Sequence, residues 1–131
     1  MTLLIGIDFQ SIDEVEASIV AFGSRYVERI YTSHEIESCS DAIHSSAIGL
    51  ADRFAAKEAV MKVLDMSDAI SPWREIEIHV NSSGRSTVAL SGVAAENAER
   101  QGLGTLSVSL SHTDRLATAI VVAEFAERDR E

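Results

Sequence analysis

Two carboxylates in this 131-residue chain occupy positions where a carboxylate is costly. Asp8 follows an apolar run in "LLIGIDF". Glu58 falls in "LADRFAAKEAVMKVL", on the stripe that Leu50, Phe54, Met61 and Leu64 form at helical spacing. An unpaired carboxylate in apolar surroundings is strongly disfavoured unless it takes up a proton or meets a cation. Two carboxylates together with substrate phosphate oxygens are a common way to hold Mg²⁺, which demands octahedral oxygen geometry and keeps some of its water. Arg53 and Lys62 stand a turn to either side of Glu58, where they would meet other phosphate oxygens. The chemistry implied is phosphoryl or diphosphate transfer, although spacing alone does not bring Asp8 and Glu58 together.

Plainer readings stand beside these. Asp8 at the end of a strand serves equally as a turn residue or helix cap. Glu58 and Lys62 form an i,i+4 pair, worth about 0.3–0.5 kcal/mol when exposed, with Arg53 and Lys57 as solvated neighbours. His112 closes an alternating strand in "SLSHTDR", as a surface turn histidine or as a phosphate donor or proton shuttle. His34, His44 and His79 lack metal-ligand spacing. Cys39, Asp41 and His44 lie too close in sequence for a catalytic unit, and no Walker or dinucleotide glycine motif occurs.

The elements that must position these residues follow from periodicity. Leu3–Phe9 reads as a buried strand. Ser11 and Glu14 form a capping-box pattern for a helix carrying Ile12, Val15, Ile19 and Phe22, which Gly23 ends. Residues 24–41 predict a short helix and a polar loop, and 42–64 the strongest helix of the chain. Residues 65–73 form a loop with Pro72, the only proline. "EIEIHV" and "STVALS" alternate around "NSSG" as a hairpin. "GVAAENAERQG" is a short helix stopped at Gly102, and residues 105–112 and 117–125 are strands joined by "TDRL". The tail "AERDRE" is charged and frayed. This order predicts one α+β domain over residues 1–131, with a mainly antiparallel sheet packed against a long helix and shorter ones.

Composition narrows the partners. A net charge of −10 argues against nucleic acid, so an anionic ligand must meet local basic groups, a helix N-terminus or a cation. No signal peptide or membrane span is readable, and the single Cys39 fits a reducing, cytoplasmic setting.

"IGIDFQSIDEV", "RFAAKEAVMKVL" and "VSLSHTDRLATAIVVAE" occur in the order and spacing of the holo-acyl-carrier-protein synthases, the small single-domain 4′-phosphopantetheinyl transferases. The resemblance spans nearly the whole chain. It implies the 4′-phosphopantetheinyl transferase-like fold and transfer of the phosphopantetheine arm of coenzyme A to a serine of an apo acyl carrier protein of fatty-acid or polyketide synthesis. It further implies Mg²⁺ on Asp8 and Glu58, which are also the catalytic candidates. Coenzyme A phosphate contacts would come from Arg53, Lys62, His112 and Thr113. Glu58 or a metal-bound water would take the serine proton. A homotrimer with sites between subunits is the expected assembly.

Two departures stand out. The turn after the "KEA" helix reads "DMSD", with acids where family members carry glycine, and the first helix opens with acidic "SIDEVE", leaving Arg25 and Arg29 as docking charges and pointing to an unusual, less acidic carrier. The alternative is therefore a weak or inactive homologue acting as a trimeric binding or regulatory partner. A Mg²⁺-dependent hydrolase of nucleotide diphosphates is a third reading.

Overall fold

The computed structural model describes residues 1–39, 43–66 and 72–127. In chain order the elements are β1 (Thr2–Ser11), α1 (Ile12–Phe22), α2 (Ser24–Ile30), α3 (Ser33–Ser38) and α4 (Ile43–Val63). A 3-10 turn (Trp73–Glu75), β2 (Ile76–Val80), β3 (Ser86–Leu90), α5 (Gly92–Gln101), β4 (Leu103–His112) and β5 (Leu116–Phe125) follow. The strands form a three-stranded sheet, β1-β5-β4, and a two-stranded sheet, β2-β3, all pairings antiparallel. The α+β class expected from the residue pattern is the class observed. No helix among the described residues is long and apolar enough to cross a membrane.

Local chemistry accounts for the boundaries. The Ser11 hydroxyl accepts the Glu14 N–H and caps α1. Gly23, at φ 56°, lets the chain turn directly from α1 into α2. Thr32 and Glu35 form a complete capping box at α3. Residues 24–39 are thus two helices and not one helix with a loop. The end of the acidic-basic tail, residues 128–131, lies outside the described residues.

α4 is the centre of the fold, packing against β1, β5, α1, β2 and β4. Leu50 and Leu64 are buried as the stripe predicts, but Phe54, Glu58 and Met61 are only half-buried. Ala51, Ala55, Ala56 and Ala59, by contrast, are completely buried. With neighbours on several sides, small side chains decide how closely the helix can be approached.

The expectation that Lys57 and Arg53 are solvated is wrong: both are buried. Lys57 pairs with Glu35 Oε1 at 2.7 Å, with both side chains 0% exposed, and donates to the carbonyls of Trp73 (2.7 Å) and Ile76 (2.6 Å). Glu35 accepts in turn from the N–H of Thr32 at 2.9 Å and of Ile78 at 2.8 Å. Periodicity could not show this, because Glu35 and Lys57 meet only when α3 and β2 close over α4. Burial pulls the Lys57 ammonium below its ordinary range, and the Glu35 carboxylate offsets part of that.

β1 also departs from expectation. It is strand, but Leu3, Ile5, Ile7 and Phe9 are exposed on the face turned from α4, Ile5 by 72%. Register places Ile120 and Leu116 on the same face. Within one chain nothing described covers that face.

The buried ion pair generates a stability prediction. Glu35→Ala leaves the Lys57 charge buried without its partner, and should destabilise the fold by about 3–5 kcal/mol in urea unfolding. A loss below about 1 kcal/mol, the worth of an exposed pair, would contradict the pair's role.

Candidate functional site

β1 crosses α4 at Gly6, where a Cβ would stand 2.5 Å from the Ala59 carbonyl oxygen and 2.9 Å from Val63 Cγ1. Only glycine permits so close an approach. Asp8 lies two residues on, on the same face of the strand, so this crossing carries it to the last turns of α4. Asp8 is within the strand and not at its end, since pairing with β5 continues to Ser11.

The Asp8 carboxylate, 14% exposed, is held at both oxygens. Lys62 Nζ reaches Oδ1 at 3.1 Å and Gln10 Nε2 donates to Oδ2 at 2.6 Å. Lys62 also donates to the Ile7 carbonyl at 2.8 Å. Thr118 Oγ1 donates to the Asp8 carbonyl at 3.0 Å, fixing the backbone from β5. Glu58, half-buried, lines a cleft of about 250 Å³ with Met61, Lys62, Asp65 and Met66.

 Lys62 thus joins Asp8 to the cleft that Glu58 lines.

This donor set fits Mg²⁺. Asp8 and Glu58 supply hard carboxylate oxygens, and an ammonium already rests on Asp8, where positive charge is favoured. Among the described residues no group of three or more His, Cys, Asp or Glu is placed to hold a metal ion. Asp65, just past α4, takes a left-handed backbone (φ 47°), where glycine is favoured. Ser67 and Asp68 of "DMSD" lie outside the described residues.

The other candidates lie elsewhere. Arg53, about 140° around α4 from Glu58, donates through Nη1 to the Gly49 carbonyl at 3.0 Å. Its Nε is buried with no partner among the described residues. His112 ends β4 on the face turned to α4, about 12 Å from Asp8 by strand spacing and rise. Its Nδ1 lies 3.2 Å from Asp52 Oδ2, with the side chains 45% and 13% exposed. The Thr113 hydroxyl accepts the N–H of Arg115 (3.3 Å) and Leu116 (3.2 Å), building the β4–β5 turn. The Arg115 carbonyl accepts from Ile12 N at 2.9 Å, tying that turn to the start of α1. His79, without a partner spacing in sequence, meets Glu77 at 2.6 Å and stacks on His34.

Sequence reasoning missed Gln10, Asp52 and Glu35. Gln10 had a signal: two residues from Asp8, it shares a strand face. Asp52 had none, because its partner is 60 positions away.

Residues 4–121 match the family model described as the 4′-phosphopantetheinyl transferase superfamily. A holo-[acyl-carrier-protein] synthase of Chloroflexus aurantiacus is 39% identical over 132 residues, spanning 90% of this chain and 95% of that protein. One from Moorella thermoacetica is 40% identical over 119 residues, covering 91% of each. The crystal structure of the Helicobacter pylori synthase in complex with coenzyme A superposes with a TM-score of 0.78 at 30% identity, over 92% of this chain and all (100%) of that one. A Chronobacterium ammoniagenes ACPS–CoA complex gives a TM-score of 0.86 at 26% identity, over 97% and 100%.

The Asp52–His112 contact generates a titration prediction. Burial raises the Asp52 carboxyl above its ordinary 3.8, while His112 and Arg53 pull it down. The folded chain thus holds this proton more tightly than the unfolded one. The group's contribution to stability is full below pH 3.8 and lost as pH rises through the raised value. His112→Ala removes two of the lowering influences, so the Asp52 carboxyl should titrate higher still, read by its carboxyl ¹³C shift. An unchanged or lower midpoint would contradict the contact.

Proposed function

The chain belongs to the 4′-phosphopantetheinyl transferase superfamily, and from that premise we propose that it carries out Mg²⁺-dependent transfer of the coenzyme A phosphopantetheine arm to a serine of an apo acyl carrier protein. The observation that carries this reading is Lys62, which reaches Asp8 beside the β1–α4 crossing and lines one cleft with Glu58.

The carrier's serine oxygen bonds to the phosphorus bearing the pantetheine arm, and the P–O bond to adenosine 3′,5′-bisphosphate breaks. The serine proton passes to Glu58 or to a water beside it. Asp8 and Glu58 would hold Mg²⁺, which would supply charge neutralisation on the diphosphate. Gln10 keeps the Asp8 carboxylate in orientation, and Lys62 adds a positive charge for diphosphate oxygens. His112 meets a further phosphate oxygen of coenzyme A. Thr113 retains its own O–H to donate, and Arg53 joins them by turning from Gly49.

Carrier docking falls to a groove of about 650 Å³ lined by Phe22, Arg25, Tyr26, Arg29 and Trp73, among others. Arg25 and Arg29 supply its docking charges, and the acidic first turn of α1 suits a carrier less acidic than usual. The exposed apolar face of β1 and β5 supports a homotrimer, since so continuous a patch is ordinarily covered by another chain. Residues 1–131 act in this reading as one domain. A single buried cysteine fits the cytoplasm.

The acids Asp13, Glu14 and Asp65 favour a second reading, a trimeric binding or regulatory homologue without turnover. One assay separates the two: coenzyme A, Mg²⁺ and a panel of apo carriers, with the carriers weighed by mass spectrometry. Arm transfer is expected, falling about a hundredfold or more in Glu58→Gln. Absence of transfer and of coenzyme A binding would leave the second reading standing.

The assembly is tested by light scattering. The expected mass is three times the 14.2 kDa of one chain. Ile5→Glu with Ile120→Glu should yield folded monomers. A trimer that survives both charges would place the interface elsewhere.

A further inference from the structure

Asp52 and His112 meet where α4 passes the end of β4. The histidine is the last residue of its strand and nearly half exposed, so its ring would sample several rotamers if nothing held it. Asp52 is mostly buried on the central helix and offers one oxygen to Nδ1. Its other oxygen, Oδ1, is shut from solvent with no partner among the described residues. A buried carboxylate with one oxygen unsatisfied is a local cost to stability, of the kind that functional sites carry.

We propose that Asp52 is a positioning residue that grips His112 at Nδ1 and so presents the Nε2 edge of the ring to a phosphate oxygen of coenzyme A. The inference rests on the reading of His112 as a coenzyme A contact. An imidazole bonded through Nδ1 to a carboxylate has its remaining nitrogen on the opposite edge of the ring. In the imidazolium form both nitrogens donate, one to Asp52 and one to the phosphate, so a single ring bridges two anions. The carboxylate sets which edge is available, and α4 sets where the carboxylate stands. Arg53, the next residue, tempers the charge of Asp52.

The test uses Asp52→Asn, which keeps the shape and removes the charge, beside Asp52→Glu and His112→Ala in the full chain. Asp52→Asn should raise KM for coenzyme A about tenfold with kcat unchanged. Its His112 ring ¹⁵N signals should move from a single Nδ1-bonded state to a tautomer mixture, without loss of melting temperature. Asp52→Glu should recover part of the affinity. A wild-type KM together with unchanged ring signals in Asp52→Asn would overturn the proposal. If His112→Ala raises KM but Asp52→Asn does not, the positioning role fails while the coenzyme A contact stands. If His112→Ala leaves KM unchanged, the contact itself fails. Should the wild-type chain not bind coenzyme A by calorimetry, the proposed function falls and this proposal with it, and the ring spectrum reports separately whether Asp52 holds the histidine.

Discussion

The backbone of β1 rests on the backbone of α4 at Gly6 and Ala59, and the rest of the arrangement depends on that contact. A strand can lie this close to a helix only where neither carries bulk at the crossing. The alanines of α4 and the missing side chain of Gly6 meet that condition together. Two residues past the crossing stands Asp8, and beside Ala59 stands Glu58. The crossing therefore converts two carboxylates 50 positions apart into neighbours of one lysine.

A second constraint holds the opposite side of α4. The Glu35–Lys57 pair is buried completely, with each partner's hydrogen-bonding capacity directed to backbone groups of α3, β2 and the 3-10 turn. Such a pair adds little to stability over an apolar replacement, but its bonds tie the start of the hairpin to the helix at the Ile76 carbonyl and the Ile78 N–H. Lys57 and Glu58, adjacent in sequence, thus serve different ends. One faces inward and locates the second sheet, and the other faces the cleft.

Much of the fold was legible because local rules govern it. Alternating residues in β2, β3, β4 and β5, the Ser11 cap and the glycine stops at Gly23 and Gly102 all act within a few residues of themselves. The two short helices of residues 24–38 were not resolved, because short helices depend on tertiary support more than on their own propensity. Lys57 was misjudged for a related reason. A lysine on a helix reads as solvated unless its acid partner is known, and that partner belongs to another element.

The residue types and their spacing by themselves determined the antiparallel α+β pattern, the central helix and the identity of Asp8, Glu58 and Lys62 as residues of interest, since periodicity and side-chain chemistry are local properties. Only the tertiary structure decided that Lys62 reaches Asp8, that Arg53 turns inward, that Asp52 stands behind His112, and that the apolar side of β1 is left bare. Those outcomes depend on how closely two backbones approach and on which elements close over a shared helix, and neither is encoded within any one segment.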